Sequence, residues 1–364
     1  MLCGVAYLQA FATIFPGRVH YVGVTPDTSD LTHLNLASIT PAFPRNIWRK
    51  ATDFLSMRAV DRLSPVADRW LRSRKGQDLI VVVNGERAGR YCRTANYLGF
   101  KSIFLPHNYA YDYLAADKNR AGLKGSLYSQ IYCSNAYQGC RWADLRVFLT
   151  STDQRRYQER LGSLGLSMAG GYFSPCIEEA REGLHIPRRK QVCINANLEL
   201  EQNQKGIAGF LSNVWPIVVK EKPDVRLVVA GLRPPRWLKD LASSMENCQV
   251  IDSPSAEEME IVFSESMVCV ATTVGGSGIK IRVGEALKRG KAVLSTPDCA
   301  IGYEAVTGEV LRVYRNDQEA ASELSALLSR DAGGLSAHAR EAYRQEYGFE
   351  AGCRRLSGVL GRIN

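Results

Sequence analysis

The sequence contains no run of about 18 to 20 apolar residues, the length that a helix needs to cross the hydrocarbon of a bilayer, so no membrane-spanning helix is expected. Its opening stretch, residues 1–15, is apolar but lacks the basic segment that starts a secretion signal. Pro16-Gly17 and a strand-like run come next, which fits a buried helix better than a cleaved leader. Ten cysteines are present, yet none falls in the close pairs that a zinc site requires. They read as the reduced thiols of a cytoplasmic protein, and Cys193, Cys269 and Cys299 sit in or beside apolar runs where a free thiol packs as a small hydrophobe. Histidine is scarce too, at five residues, and the composition is that of neither a disordered chain nor a disulfide scaffold.

What is present is enough for two cores. The 364 residues are 45% hydrophobic and 23% charged, and one core rarely serves so long a chain, so two domains of roughly 150 to 200 residues are expected. The net charge of +9 implies anionic company: nucleic acid, a phospholipid surface or a phosphate-bearing substrate. Residues 45–75 concentrate it, with nine Lys/Arg against three Asp, interleaved with Ile47, Trp48, Phe54, Leu55, Met57, Val60, Leu63 and Trp70. This pattern predicts a basic amphipathic helical hairpin broken at Ser64-Pro65, a face able to make peripheral contact with anionic membrane. The alternative is a solvated face over an ordinary core.

Short runs of Val, Ile and Leu alternate with helix-length amphipathic segments, the pattern of parallel sheets built from βαβ units. In the first half strands are expected over 19–24, 34–39, 78–83, 101–105 and 145–150. In the second they fall at 191–195, 225–230, 249–251, 267–271, 292–295 and 310–313, with helices over 205–220, 279–289 and 318–329. The Gly-, Pro- and charge-rich stretch 167–190 carries no period and reads as the linker. Two Rossmann-like lobes are therefore expected, with ligands at the carboxyl ends of the strands. The N-terminus departs from the pattern, since a helix comes almost at once where such a fold begins with a strand, and the expectation is that the first strand is missing.

The strongest chemical signal runs from Met267 to Pro297: a strand, a glycine turn, a helix and a second strand. Gly275, Gly276 and Gly278 let a ligand approach the backbone, and amides opening a helix at Ile279 would form an anion site aided by the helix dipole. Lys280 and Arg282 place positive charge in a first turn that normally prefers acids, an inversion that makes sense if a diphosphate docks there. Glu285, further along, has the chemistry to accept from the vicinal hydroxyls of a ribose. The alternatives are a tight turn without a ligand, and a surface acid paired with Lys288 or Arg289.

This segment resembles the donor-binding core of the retaining glycosyltransferases of family 4, also called group 1. In that family a helix after a glycine turn carries E-x7-E and then A-x-x-x-G-x-P-V; here Glu285 through Val293 matches the second glutamate and the residues after it, while Ser277 stands where the first would be. Lys205-Gly206 is similar to the family's lysine that neutralises the donor pyrophosphate, with Asn195 or Asn197 in place of its partner arginine, and residues 223–231 and 299–304 resemble its central strand and donor-facing loop. In the first half, Phe104-Leu105-Pro106-His107-Asn108 and residues 143–153 also resemble family segments. The resemblance implies a GT-B fold, two Rossmann-like domains facing a central cleft: residues 1–172, with a C-terminal helix at about 349–364 packing back, and residues 173–348. It implies a hexosyltransferase-like enzyme that moves a sugar from a nucleotide-diphosphate donor to a glycan or lipid-linked acceptor in surface polysaccharide synthesis.

The donor is then held by Lys205, Gly276, Ser277, Gly278, Ile279, Lys280, Arg282 and Glu285, with His107 and Lys280 as the catalytic candidates. A histidine at a strand's carboxyl end can hydrogen-bond the sugar or steady its departing phosphate, whereas His20, His33, His185 and His338 read as structural. Asn84-Gly85-Glu86, after the strand before it, is a weaker acceptor-side candidate. No Asp-x-Asp occurs, so no cofactor or metal is expected, and cations replace the metal that would bridge a diphosphate. Competing readings are a sugar-nucleotide epimerase or hydrolase on the same fold, which would need an acidic pair and more histidines, and a basic nucleic-acid-binding protein, for which no motif is found.

Overall fold

A computed structural model describes residues 2–23, 34–41, 64–111, 123–174, 190–275 and 278–363. The chain divides into two compact units: residues 1–177 with 349–364, and residues 178–348.

The first unit opens with helix α1 (Leu2–Ile14), and among the described residues no strand precedes Gly4. Strands β1 (His20–Gly23) and β2 (Ser38–Pro41) form a parallel pair. Helix α2 (Pro65–Arg72) starts at an extended Ser64 whose hydroxyl accepts from the Val66 amide, with Pro65 in the first turn, where a missing N–H costs nothing. A helix starts where the break is expected, at Ser64-Pro65; residues 45–63, the preceding arm of the expected basic hairpin, lie outside the described residues. Next come β3 (Ile80–Asn84), α3 (Arg90–Leu98), β4 (Lys101–Leu105), α4 (Leu123–Trp142), β5 (Leu145–Val147), α5 (Ser151–Leu161) and β6 (Ser167–Met168), the four strands forming one parallel sheet in the order β3-β4-β5-β6. Strand β6 occupies the start of the stretch read as a linker, because two residues carry too little pattern to announce a strand.

The second unit is more regular. It runs β7 (Gln191–Asn197), α6 (Glu201–Gly209), α7 (Trp215–Glu221), β8 (Arg226–Leu232), α8 (Arg236–Ser243), β9 (Cys248–Asp252), α9 (Ala256–Glu265), β10 (Ser266–Ala271), α10 (Ile281–Lys288), β11 (Ala292–Ser295), α11 (Pro297–Ala300), β12 (Leu311–Val313), α12 (Asp317–Leu327) and α13 (Ala332–Tyr347). Between α6 and α7 the helix continues through a π segment, Phe210–Val214, in which the Trp215 amide reaches back to the Phe210 carbonyl. Pro216 explains it: lacking an N–H and clashing with the carbonyl one turn back, proline is accommodated by the wider turn. All six strands are parallel, in the order β12-β11-β10-β7-β8-β9. In the four inner strands β11, β10, β7 and β8 the Val, Ile and Leu side chains are buried in near-continuous runs up to the exposed Leu232, as a sheet covered on both faces demands.

After α13 the chain returns to the first unit as α14 (Phe349–Leu360). Gly352 makes the docking possible, since a Cβ there would lie 2.1 Å from the Phe173 ring.

Candidate functional site

In the second unit the strand order reverses between β7 and β10, the switch point of an open parallel sheet, where the loops leaving two adjacent strands diverge and open a crevice. The loop after β10 carries the glycine turn, and the loop after β7 leads into α6. They are tied together by Asn203, 1% exposed. Its amide nitrogen donates to the Asn197 carbonyl at 2.8 Å, while its Oδ1 accepts from the Thr273 hydroxyl at 2.6 Å and from both terminal nitrogens of Arg282 at 3.3 and 3.2 Å. One buried amide thus connects β7, α6, the turn after β10 and the first turn of α10. Gly206 brings α6 this close, because a Cβ there would sit 2.0 Å from the Thr272 carbonyl oxygen.

The turn is also braced by the loop after β11. Asp298 accepts from the Gly275 amide at 2.7 Å, and the Thr296 hydroxyl donates to the Thr273 carbonyl at 2.7 Å. Gly275 and Gly278 hold φ of 81° and 72°, a region that glycine enters at no steric cost. Gly276 and Ser277 lie outside the described residues.

Helix α10 begins two residues later than the sequence predicts, at Ile281, with Ile279 ahead of it and Lys280 extended as its cap residue. The cause is Tyr303, fully buried, whose hydroxyl donates to the Lys280 carbonyl at 3.2 Å and accepts from the Gly284 amide at 3.1 Å. Lys280 is 9% exposed and folds its ammonium back to the Gly278 carbonyl at 3.3 Å. Arg282 is largely buried, and desolvation pulls its pKa down, although a guanidinium remains charged. The helix mouth therefore holds two cations in a dry setting, where their field is strong.

Two other predicted residues are held in ion pairs. Lys205 is exposed on α6 and ion-paired with Glu201 at 2.8 Å. Glu285 accepts from Arg289, which also grips Glu260 at 2.6 Å, so its carboxylate already has a cationic partner.

The candidates of the first unit come together. Strands β3 and β4 are neighbours in register, Asn84 beside Leu105. His107 Nε2 meets Asn84 Oδ1 at 2.7 Å, and the His107 and Asn108 amides both donate to Glu86 Oε1 at 2.6 Å. Burial lowers the pKa of His107 to about 4, so the ring is neutral near pH 7, and burial raises that of Glu86.

Parallel α/β units of this kind, with a donor-type turn at the switch point of the second, define the GT-B class of fold. Solved structures share it: HepE of Anabaena, in complex with UDP, aligns with a TM-score of 0.62 at 13% identity over 99% of this chain and 96% of its own. TarM of S. aureus aligns with a TM-score of 0.58 at 12% identity, covering 81% of this chain and 58% of TarM. Residues 189–330, which contain the whole switch-point site, match the family described as Glycosyl transferases group 1. Part of the chain is also similar to an uncharacterized 44.6 kDa protein in the cps region of Klebsiella pneumoniae, 26% identical over 152 residues, or 40% of this chain and 39% of that protein.

Asn203, Asp298 and Tyr303 were not among the residues predicted from sequence. Asn203 stands two positions before Lys205, Tyr303 lies inside the segment 299–304 and Asp298 directly before it, but the partner that gives each its role is distant in the chain.

Proposed function

We propose that this protein is a glycosyltransferase that moves a sugar from a nucleotide-diphosphate donor to a glycan or lipid-linked acceptor in surface polysaccharide synthesis, retaining and metal-independent. The observation that carries this is the placement of Lys280 and Arg282 at the opening of α10, on the switch point of the second sheet. Cations and helix dipole act together there on an anion, and no Asp-x-Asp is needed to bring a metal. The cps-region relative supports the polysaccharide setting, and HepE, solved with UDP-glucose, supports a nucleotide-sugar donor.

In the reaction the bond between the sugar's C1 and the diphosphate oxygen breaks as the acceptor hydroxyl oxygen bonds to C1. The hydroxyl proton passes to the departing phosphate, which is why a protein base need not be found. Lys280 and Arg282 stabilise the charge that grows on that phosphate. The glycine turn completes the nucleotide site, with Lys205 turning from Glu201 to the diphosphate and Glu285 from Arg289 to the ribose, and His107 serves the sugar.

A thermal-shift panel of UDP, UDP-glucose, GDP-mannose and ADP-glucose, with and without EDTA, tests the reading, since a ligand that binds only the native state stabilises it by RT ln(1 + [L]/Kd). One nucleotide class should raise Tm, equally in EDTA. Arg282→Ala and Asn203→Ala should each weaken that nucleotide's binding by roughly 10-fold or more, the loss expected for one charge-assisted contact. Absence of any shift, or full binding in both variants, overturns the site.

A further inference from the structure

His107 sits at the end of β4, where the backbone leaves the sheet and would ordinarily be the loosest part of the chain. It is held instead from two sides. Asn84 Oδ1 meets its Nε2 at 2.7 Å. An amide oxygen only accepts, so Nε2 carries the ring proton and Nδ1 is left as the acceptor. Glu86 is 5% exposed and gathers three donors from other residues: the amides of His107 and Asn108 on Oε1, each at 2.6 Å, and the Tyr132 hydroxyl on Oε2 at 3.1 Å. Gly85, at φ 88°, turns the chain after β3 so that Glu86 can enter beneath the neighbouring strand's loop. The far side of the turn is fixed as well, by the Tyr157 hydroxyl, which donates to the Asn108 carbonyl and accepts from the Ala110 amide, both at 3.1 Å.

A buried carboxylate costs several kcal/mol to desolvate, and these donors, with the Glu86 amide itself, are neutral groups rather than cations. Two amides from consecutive residues on one oxygen specify a backbone turn. The sequence alone suggests that Glu86 could meet an acceptor, whereas its oxygens are turned inward to the protein.

We propose that Glu86 is a positioning residue whose inward-facing carboxylate fixes the turn after β4, so that the His107 ring is presented in one orientation and one tautomer. That the ring so presented serves the transferred sugar rests on the function proposed above; the brace itself does not. Reach matters more than charge in this arrangement. Glutamine keeps the accepting Oε1 at the same distance, and its amide nitrogen can donate to the Tyr132 hydroxyl. Aspartate keeps the charge and falls one methylene short.

The test is NMR of the His107 ring and of the 107 and 108 amides in the full chain, with His107→Gln used to assign the signals. In the wild type both amides should exchange slowly, and the ring should hold the Nε2–H tautomer without titrating above pH 5. Glu86→Gln should reproduce this. Glu86→Asp should release it, with amide exchange at least about 10-fold faster and the ring titrating toward its ordinary 6.5. Rapid exchange of both amides in the wild type overturns the proposal without any variant. So does the reverse pattern, with aspartate silent and glutamine disruptive. UDP thermal shifts on the same samples keep the two questions apart: no shift in any of them sinks the donor site and leaves the brace standing.

Discussion

At the scale of single residues, the decisive features are polar groups taken out of water and paired. His107 shows what this does to a titration. Its pKa is about 4 in the folded protein because burial penalises the charged ring, against 6.5 ordinarily. Above pH 6.5 the ring is neutral in both folded and unfolded chains and contributes nothing. As the pH falls from 6.5 toward 4, the unfolded chain takes up the proton first, so the native state loses stability across that window. Glu86, with its raised pKa, acts in the opposite sense, so the histidine must be isolated by difference. His107→Gln should therefore lose less stability than wild type between pH 7 and pH 5, read as the change in Tm at the two values; equal losses would show that the ring protonates freely in the native state. The position of His107 was legible in the sequence, because a histidine directly after an apolar strand can only stand at the strand's carboxyl end. Its partners were not, since Asn84 and Glu86 reach it only through the pairing of β3 with β4, which no local pattern encodes.

At the scale of elements, close approach decides what the motif can do. Helix α6 is drawn onto the turn after β10 until only glycine fits at position 206, with the Thr272 carbonyl 2.0 Å from where a Cβ would be. That carbonyl is backbone and cannot rotate away, so Gly206→Ala must push helix and turn apart, at a cost of about 1–3 kcal/mol. Because Asn203 rides on the same helix and holds Thr273 and Arg282, the shift would also loosen the cations. The expected outcome is a lower Tm together with weaker UDP binding by calorimetry; a lower Tm with unchanged affinity would show that the Asn203 link is not what sets Arg282. In sequence, Lys205-Gly206 reads as a phosphate-binding pair. Structurally the glycine supplies the contact with the site while the lysine pairs with Glu201 on the exposed side. The strand and helix of residues 266–288 were legible from apolar runs and glycines, but the start of α10 was not, because Tyr303 fixes it from the following loop.

At the scale of the whole molecule, the alternation of strands and helices announced two parallel units, whereas the strand order of the second, with β8 and β9 on one side of β7 and β10, β11 and β12 on the other, is set by tertiary pairing that no local pattern encodes. What closes the first unit is the last helix. Helix α14 is separated in sequence from the rest of that unit by the entire second unit, so every contact it makes there closes a very long loop. Those contacts are specific. The Phe173 ring lies against Gly352 and meets Tyr7 edge-on at 5.2 Å, the Tyr7 hydroxyl donates to the Gly171 carbonyl at 2.7 Å, and Arg355 donates to the Tyr172 carbonyl at 3.0 Å. A leucine at 352 would drive into that ring, which is itself packed and cannot yield. Gly352→Leu should therefore lower the stability of the first unit by about 3 kcal/mol or more, the upper range for overpacking. The switch-point site lies wholly in the second unit, which has its own core, so UDP affinity should be preserved. Two unfolding transitions in calorimetry would show this, the lower one falling in the variant while the upper one still rises with UDP. If both fell together, the two cores would be one cooperative system, and the last helix would be stabilising the donor site as well as the unit it completes.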